Sequence, residues 1–245
     1  VLRVCALYPE LMNIYADRGN LIVLERRCRW RGIGFELVAS GLGEPLDSSA
    51  HDLIYLGGGQ DRDQRLCAED LLVNKRDALH EAAARRAVVL GVCGGYQLLG
   101  RSYALGDQQI EGVGLLDVET VRGEGSRLIG NIAIETALDG SAERGEPCVL
   151  AGFENHGGRT SLARGQQPLG RILRGHGNDG RSGLEGARSA NTIGTYMHGP
   201  LLPKNVWFAD WLIARALGVD QGALEPLDDL LEREAHLSAL SAAGG

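Results

Sequence analysis

The stretch Ala87–Gly100, AVVLGVCGGYQLLG, decides the fold. Ala87, Val88, Val89 and Leu90 form a short apolar run rich in β-branched residues, which predicts a buried strand. The run ends at Gly91. Cys93 follows two residues on, Gly94 and Gly95 come directly after it, and Tyr96, Gln97, Leu98 and Leu99 predict the opening of a helix. This G-x-C-x-G pattern is the cysteine version of a nucleophile elbow, in which small neighbours permit a sharp strand-to-helix turn. Such a turn holds the side chain clear of the backbone. It also sets the sulfur near a helix N-terminus, where orphan N–H groups and the dipole favour a thiolate. The alternative is a buried core cysteine beside a glycine-rich βα turn.

Upstream of this stretch, the pattern alternates strands with helices. Leu2–Leu7 predicts a strand that Tyr8, Pro9 and Glu10 break. Asn13–Arg31 has helical spacing through Ile14, Leu21, Leu24 and Cys28, interrupted by Gly19, so a start near Asn20 is expected and Asp17-Arg18-Gly19-Asn20 is a candidate turn. Gly34–Ala39 and Asp52–Leu56 predict strands. The second of these is closed by Gly57, Gly58 and Gly59, three bare N–H groups at the strand end where ligands bind in open α/β sheets. Gln60–Arg86 carries a long helical pattern in one or two pieces. The order predicts a doubly wound, mostly parallel α/β sheet, whose right-handed crossovers gather the loops after its first, third and fourth strands.

Downstream, short strands are expected over Val113–Val121, Asn131–Ala137, Val149–Phe153, Gly170–Arg174 and Ile193–Met197. They predict an added mixed or antiparallel ribbon on the parallel core, within a single domain covering 1–245. Glu154–Thr160 follows the strand ending at Phe153, and Arg122–Gly130 and Gly175–Arg188 are expected as loops. Asn205–Leu217 predicts a helix capped by Asn205, and a last helix is expected over 226–240, opened by Pro226.

The chain has 245 residues and a formal charge of −7, which argues against a nucleic-acid binder because nothing offers a basic stripe. Arg26, Arg27, Arg29 and Arg31 are expected on the wet side of one helix. Five widely spaced cysteines show no CxxC and no zinc-ligand spacing, so no metal is expected and a reducing compartment fits. With neither an apolar leader nor an apolar run of membrane-spanning length, a soluble, cytoplasmic protein is expected.

A cysteine nucleophile needs a base within hydrogen-bond reach that titrates near neutrality. Of six histidines, His156 and His198 are best placed, each after a strand and directly before a glycine. His198 is favoured because it follows the more apolar strand and sits in a His-Gly-Pro turn. An oxyanion also needs donors: the N–H of Gly94 is one, and Gly58 or Gly59 supplies the other. Together these groups suit attack on a carbonyl.

With these residues in place, the sequence resembles the class I, triad-type glutamine amidotransferases of the cobyric-acid-synthase-like branch. Within that branch it is similar to the glutaminase subunits of lipid II isoglutaminyl synthases. The strings that carry the resemblance are LYPELMNIYADRGN (Leu7–Asn20), YLGGGQDRDQ (Tyr55–Gln64), LGVCGGYQLLG (Leu90–Gly100), RLIGN (Arg127–Asn131), GFENHGGRT (Gly152–Thr160) and GTYMHGPLLPKN (Gly194–Asn205).

The resemblance implies hydrolysis of L-glutamine by Cys93 with His198 as base, and Arg127 holding the substrate. An arginine fork suits the α-carboxylate. Most triad-type relatives place a glutamate two residues after the histidine; here Pro200 stands there, so a Cys–His dyad is implied, or a third member such as Glu154 or Asp17. No cofactor is expected on this chain, which lacks a Walker A string. ATP and Mg are expected on a Mur-ligase-like partner, MurT, which would form a heterodimer with this chain. The partner would use the ammonia to amidate the D-glutamate of lipid II to D-isoglutamine. The alternatives are a glutaminase of cobyrinate-type amidation, whose relatives usually carry a synthetase domain on the same chain, and a catalytically silent regulatory subunit.

Overall fold

The computed structural model describes residues 1–13, 17–105, 108–136, 138 and 148–244; Ile14 and Ala137, each expected within an element, lie outside them. In chain order the elements are β1 (Leu2–Leu7), α1 (Arg18–Trp30), β2 (Phe35–Ser40), β3 (Leu53–Leu56), α2 (Asp61–Asp70), a π-helical turn (Leu71–Lys75) and α3 (Arg76–Ala84). The elbow region gives β4 (Val88–Val92) and α4 (Gly94–Leu99). Then follow β5 (Ser102–Leu105), β6 (Gln108–Glu111), β7 (Val118–Arg122), β8 (Leu128–Thr136), β9 (Cys148–His156), β10 (Gly158–Leu162), β11 (Gly170–Arg174), β12 (Leu184–Glu185), β13 (Ala187–Ser189) and β14 (Thr192–Thr195). The chain closes with a 3₁₀ turn (Leu202–Lys204), α5 (Val206–Leu217), a second 3₁₀ turn (Gln221–Ala223) and α6 (Leu230–Gly244).

The central sheet runs β13-β14-β4-β3-β1-β2. The pairs β14/β4, β4/β3, β3/β1 and β1/β2 are parallel, and β13 adds one antiparallel edge. Alternation along each strand sends side chains to two cores. On one face Leu2, Val4, Leu53, Val88 and Leu90 meet Leu21 and Leu24 of α1 and Phe208, Trp211 and Leu212 of α5. On the other, Cys5, Leu7, Ile54, Leu56 and Val89 meet Cys67, Leu71, Leu79, Leu98 and Leu99 of α2, the π-helical turn, α3 and α4. Each such large apolar side chain contributes about 1.5–3 kcal/mol on burial. Strand order reverses between β1 and β3, so the connections that leave their C-terminal ends run to opposite faces, to α1 and α2, and leave a crevice there.

The second half builds two further four-stranded sheets, β12-β11-β8-β9 and β10-β7-β5-β6. The first is antiparallel throughout; the second mixes a parallel β5/β7 pair with antiparallel neighbours. Several expectations are corrected. The strand expected to end at Phe153 continues to His156 as β9, and Gly158–Thr160 belongs to β10. The Gly175–Arg188 loop contains β12 and the start of β13, and β5 and β6 had no apolar alternation to announce them. The last helix begins at Leu230, not 226, and runs to Gly244. Asp228 accepts the Leu230 N–H at 3.3 Å and the Asp229 carbonyl accepts from Arg233 at 2.8 Å, so these acids start it.

Gly19 does not interrupt α1, which starts at Arg18. A Cβ on Gly19 would lie 2.7 Å from Pro200 Cγ, so glycine serves packing at that point. Arg27 is not on the wet side of α1: it is 1% exposed and forks onto Asp210 and Asp229 at 2.6–3.0 Å, while Arg31 also binds Asp210. That cluster ties α1 to α5 and to the entry of α6. All five cysteines are free thiols; four are buried and Cys93 is half-buried.

Candidate active site

Parallel strands point their C-terminal ends the same way, so the segments that follow β3, β4 and β14, carrying Gly58, Cys93 and His198, leave the same edge of the central sheet. Cys93 follows β4 with φ 52° and ψ −107°, immediately before α4. A non-glycine residue at such angles costs about 1–3 kcal/mol and persists only where its surroundings enforce it. Here they do. The Cys93 N–H donates to the Thr195 carbonyl at 2.8 Å, and the Gly95 N–H donates to the Gly57 carbonyl at 3.0 Å. A Cβ on Gly95 would sit 2.2 Å from the Leu56 carbonyl oxygen, so only glycine lets the elbow press onto the end of β3. The Gly94 N–H donates toward the Cys93 sulfur. Gly59 N lies 3.1 Å from where a Gly94 Cβ would be, which puts the 57–59 run against the elbow.

The expected donor Gly58 is committed elsewhere. Its N–H donates to Asp17 Oδ2 at 2.9 Å. Asp17 therefore does not orient an imidazole in this structure; its carboxylate sits on the glycine run. Burial pushes that carboxyl up to about 6, partly offset by the Gly58 hydrogen bond. Burial likewise pushes the Cys93 thiol up to about 12, with the Asp17 charge adding to it and the Gly94 N–H and Arg127 opposing.

His198 is fully buried, three residues beyond the end of β14. Its N–H donates to the Phe153 carbonyl at 2.9 Å and its carbonyl accepts from Phe153 at 3.1 Å, which clamps the turn to β9. The Phe153 ring stands edge-on to the imidazole, centroids 5.9 Å apart. Asn205 is not the side-chain cap expected for α5. Its amide closes a two-way pair with the Ala151 backbone at 2.7 and 2.8 Å and also donates to the Leu201 carbonyl at 2.8 Å, fixing the chain after the turn. Burial holds His198 down to about 4; the charges of His156, Lys204 and Arg127 add to this and Glu154 opposes. These shifts favour a protonated Cys93 thiol and a neutral His198 imidazole at neutral pH.

Arg127 lies just before β8, exposed, with Nε and Nη2 each donating at 2.7 Å to Asn155 on β9. Its charge acts on both Cys93 and His198. Glu154, 0% exposed, accepts the N–H groups of His176 and Gly177 at 2.6 and 2.8 Å, so its carboxylate organises the loop after β11. Its Oε2 is 3.8 Å from His156 Nε2. His156 donates from Nδ1 to the Gly158 carbonyl at 2.9 Å and stacks flat on Tyr196, centroids 3.6 Å apart.

Further polar residues support the site. Gln64 Nε2 donates to Gln97 Oε1 at 2.7 Å, and Gln97 Nε2 donates to the Tyr196 hydroxyl at 3.1 Å, which links α2, α4 and the His198 turn. Buried Glu185 accepts the Thr195 hydroxyl at 2.6 Å and the Tyr196 N–H at 2.8 Å, taking over where β14 pairing stops. Gln97, one turn after Cys93 in an apolar run, was a legible signal. Glu185, in a loop of glycines and serines, was not. Among the described residues no cluster of histidine, cysteine and carboxylate side chains is arranged to hold a metal ion, and no helix is long and apolar enough to cross a membrane.

Comparison with known proteins adds to this geometry. The profile of the CobB/CobQ-like glutamine amidotransferase domain matches residues 3–206. Subunit GatD of lipid II isoglutaminyl synthase (glutamine-hydrolyzing) from Staphylococcus aureus (strain N315) is 37% identical, covering 94% of this chain and 89% of its own. The subunit of the same name from Streptococcus pneumoniae (strain ATCC BAA-255 / R6) is 35% identical, covering 95% and 88%. Cobyric acid synthase of Pelotomaculum thermopropionicum is 34% identical over 75% of this chain but only 36% of that protein. Among solved structures, PurLQS from Thermotoga maritima contains a chain of the same fold, with a TM-score of 0.58, 20% identity and coverage of 98% and 99%.

Proposed function

The chain belongs to the family of CobB/CobQ-like glutamine amidotransferase domains, and from that premise we propose that it is the glutaminase subunit of a two-protein enzyme that amidates a cell-wall precursor. Cys93 attacks the side-chain amide carbon of L-glutamine while His198 takes the thiol proton. The imidazole suits this because its depressed pKa keeps it neutral and able to accept. The thiol, held protonated by burial, gives up its proton only as the S–C bond forms. The oxyanion is received by the Gly94 N–H and, once it leaves Asp17, by the Gly58 N–H. Collapse of the intermediate expels ammonia with the proton returned by His198. Water activated by the same imidazole then splits the thioester, releasing L-glutamate. Arg127 receives the α-carboxylate of glutamine; its guanidinium is already aimed by Asn155.

The observation that carries this proposal is the strained Cys93 elbow wedged between the glycine run and the end of β14. The cell-wall assignment is supported by two relatives named as subunits of lipid II isoglutaminyl synthase, each matched over about nine-tenths of both chains. On that assignment the ammonia passes to a Mur-ligase-like partner that binds ATP and Mg, activates the α-carboxyl of the D-glutamate in lipid II and yields D-isoglutamine. Ammonia is mostly protonated at neutral pH and must be delivered close to the activated acyl group, which requires a heterodimer.

Co-expression with a Mur-ligase-like partner, followed by mass analysis of a muropeptide acceptor, tests this. Amidation should depend on glutamine, vanish in Cys93→Ser and return with ammonium salts. Failure of the chain to bind such a partner, or glutamine-dependent amidation by Cys93→Ser, would refute it.

A further inference from the structure

On the glutaminase reading, one buried group works against the reaction. Asp17 is 1% exposed, its Oδ2 accepts the Gly58 N–H at 2.9 Å, and its Oδ1 has no hydrogen-bond partner among the described residues. A backbone N–H has a single hydrogen to give. While that hydrogen is held by a carboxylate, none is left for the oxyanion of a tetrahedral intermediate. The bond is charge-assisted, the stronger kind. The same negative charge is felt at Cys93, where it adds to burial in keeping the thiol protonated. It therefore opposes both the formation of the nucleophile and the growth of charge on the substrate oxygen.

The carboxylate is carried by a turn with contacts on two sides. The Asp17 carbonyl accepts from the Tyr55 hydroxyl at 3.3 Å, and Asn20 Nδ2 donates to that hydroxyl at 2.9 Å, which fixes the start of α1 against β3. Asn20 Oδ1 accepts the Leu202 N–H at 2.8 Å, and Gly19 packs on Pro200. The first turn of α1 is thus wedged between the strand that ends in the glycine run and the segment that follows His198.

We propose that Asp17 gates the oxyanion site: the structure holds the closed state, and hydrolysis requires the first turn of α1 to carry the carboxylate off the Gly58 N–H. Because that turn also touches Pro200 and Leu202, a movement that frees the donor shifts the turn carrying the base as well. The gate rests on the glutaminase function of Cys93.

The test uses the full chain without a partner, as wild type, Asp17→Ala and Asp17→Asn. Glutamate release gives kcat, and the pH profile of Cys93 alkylation by iodoacetamide, mapped by peptide mass spectrometry, reports the thiol directly. An oxyanion donor is worth about 100- to 1,000-fold in kcat, and a charge-assisted hydrogen bond holds its donor by about 10- to 150-fold. Asp17→Ala should therefore raise kcat by about 10-fold or more. Asp17→Asn, whose amide oxygen still accepts but without charge, should raise it less. Both should move the alkylation midpoint to lower pH. A kcat at or below wild type in either folded variant overturns the gate, as does an unmoved midpoint. If Asp17→Ala fails to fold, the near-isosteric Asp17→Asn decides. Failure of the underlying function looks different: no chain releases glutamate, Cys93→Ser matches wild type, and the gate falls with it.

Discussion

Gly95→Ala is the substitution that most directly asks whether the elbow and the glycine run work as one unit. The added Cβ would meet the Leu56 carbonyl oxygen at 2.2 Å and the Gly57 carbonyl oxygen at 2.9 Å, both backbone atoms with little freedom to yield. Ordinary contact begins near 3.4 Å, so α4 and the exit of β3 must part by more than about 1 Å. The Gly95–Gly57 hydrogen bond of 3.0 Å would stretch with them. Forcing a methyl into a packed site costs about 1–3 kcal/mol of stability. A misplacement of about 1 Å between reacting groups costs about 100-fold in rate. The variant should fold, unfold at lower urea by that margin, and release glutamate about 100-fold more slowly than wild type. Urea melts and a coupled glutamate assay measure the two effects on one preparation. A variant that is destabilised as expected yet keeps kcat within about 3-fold of wild type would refute the claim that this contact sets catalytic geometry.

Three further outcomes are expected. His198→Ala should abolish glutamate release, whereas His156→Ala, which removes a ring stacked on Tyr196, should leave measurable turnover; the reverse order of kcat would show that the base is misassigned. Arg127→Ala should weaken glutamine binding by about 10- to 150-fold, and Arg127→Lys by less because it keeps charge but loses the fork. Calorimetry on a Cys93→Ser background reads this, and wild-type affinity in both variants would return Arg127 to a surface role. Burial raises the Glu185 carboxyl to about 7 from an ordinary value near 4.5, so folding favours its protonated form. The stability this group contributes is full below about 4.5 and is lost as pH rises through about 7. Glu185→Gln should flatten the urea midpoint across that window, and an unchanged slope would contradict the assignment.

Much of this architecture was legible because it rests on local chemistry. The elbow is written in small residues around a cysteine, and the parallel core in short apolar runs stopped by Tyr8-Pro9 after β1 and by glycines at Gly57 and Gly91. Both cores of the central sheet follow from strict alternation in β1, β3 and β4. What escaped depends on contacts far apart in sequence. Gly19 looks like a helix breaker until Pro200, distant along the chain, is seen to need its empty side. Arg27 looks solvated until Asp210 and Asp229 arrive from α5 and the entry to α6. The strands β5 and β6 are only four residues long, and β6 carries polar side chains on both faces, so neither offers a sustained period-two pattern. The candidate site was read as a set of residues, not as a state. Nothing in the sequence says that the Gly58 N–H is spent on Asp17, because that depends on where the first turn of α1 is pressed.

The most direct measurement of the central claim is ammonia and glutamate release from L-glutamine, taken together with covalent labelling by a glutamine-mimicking diazo-ketone. With the partner present, wild type should release the two products in equal amounts, and peptide mass spectrometry should find the label on Cys93 ahead of the four buried thiols. Cys93→Ser should do neither. Release of ammonia by Cys93→Ser, or labelling first at Cys28, Cys67 or Cys148, would contradict the account.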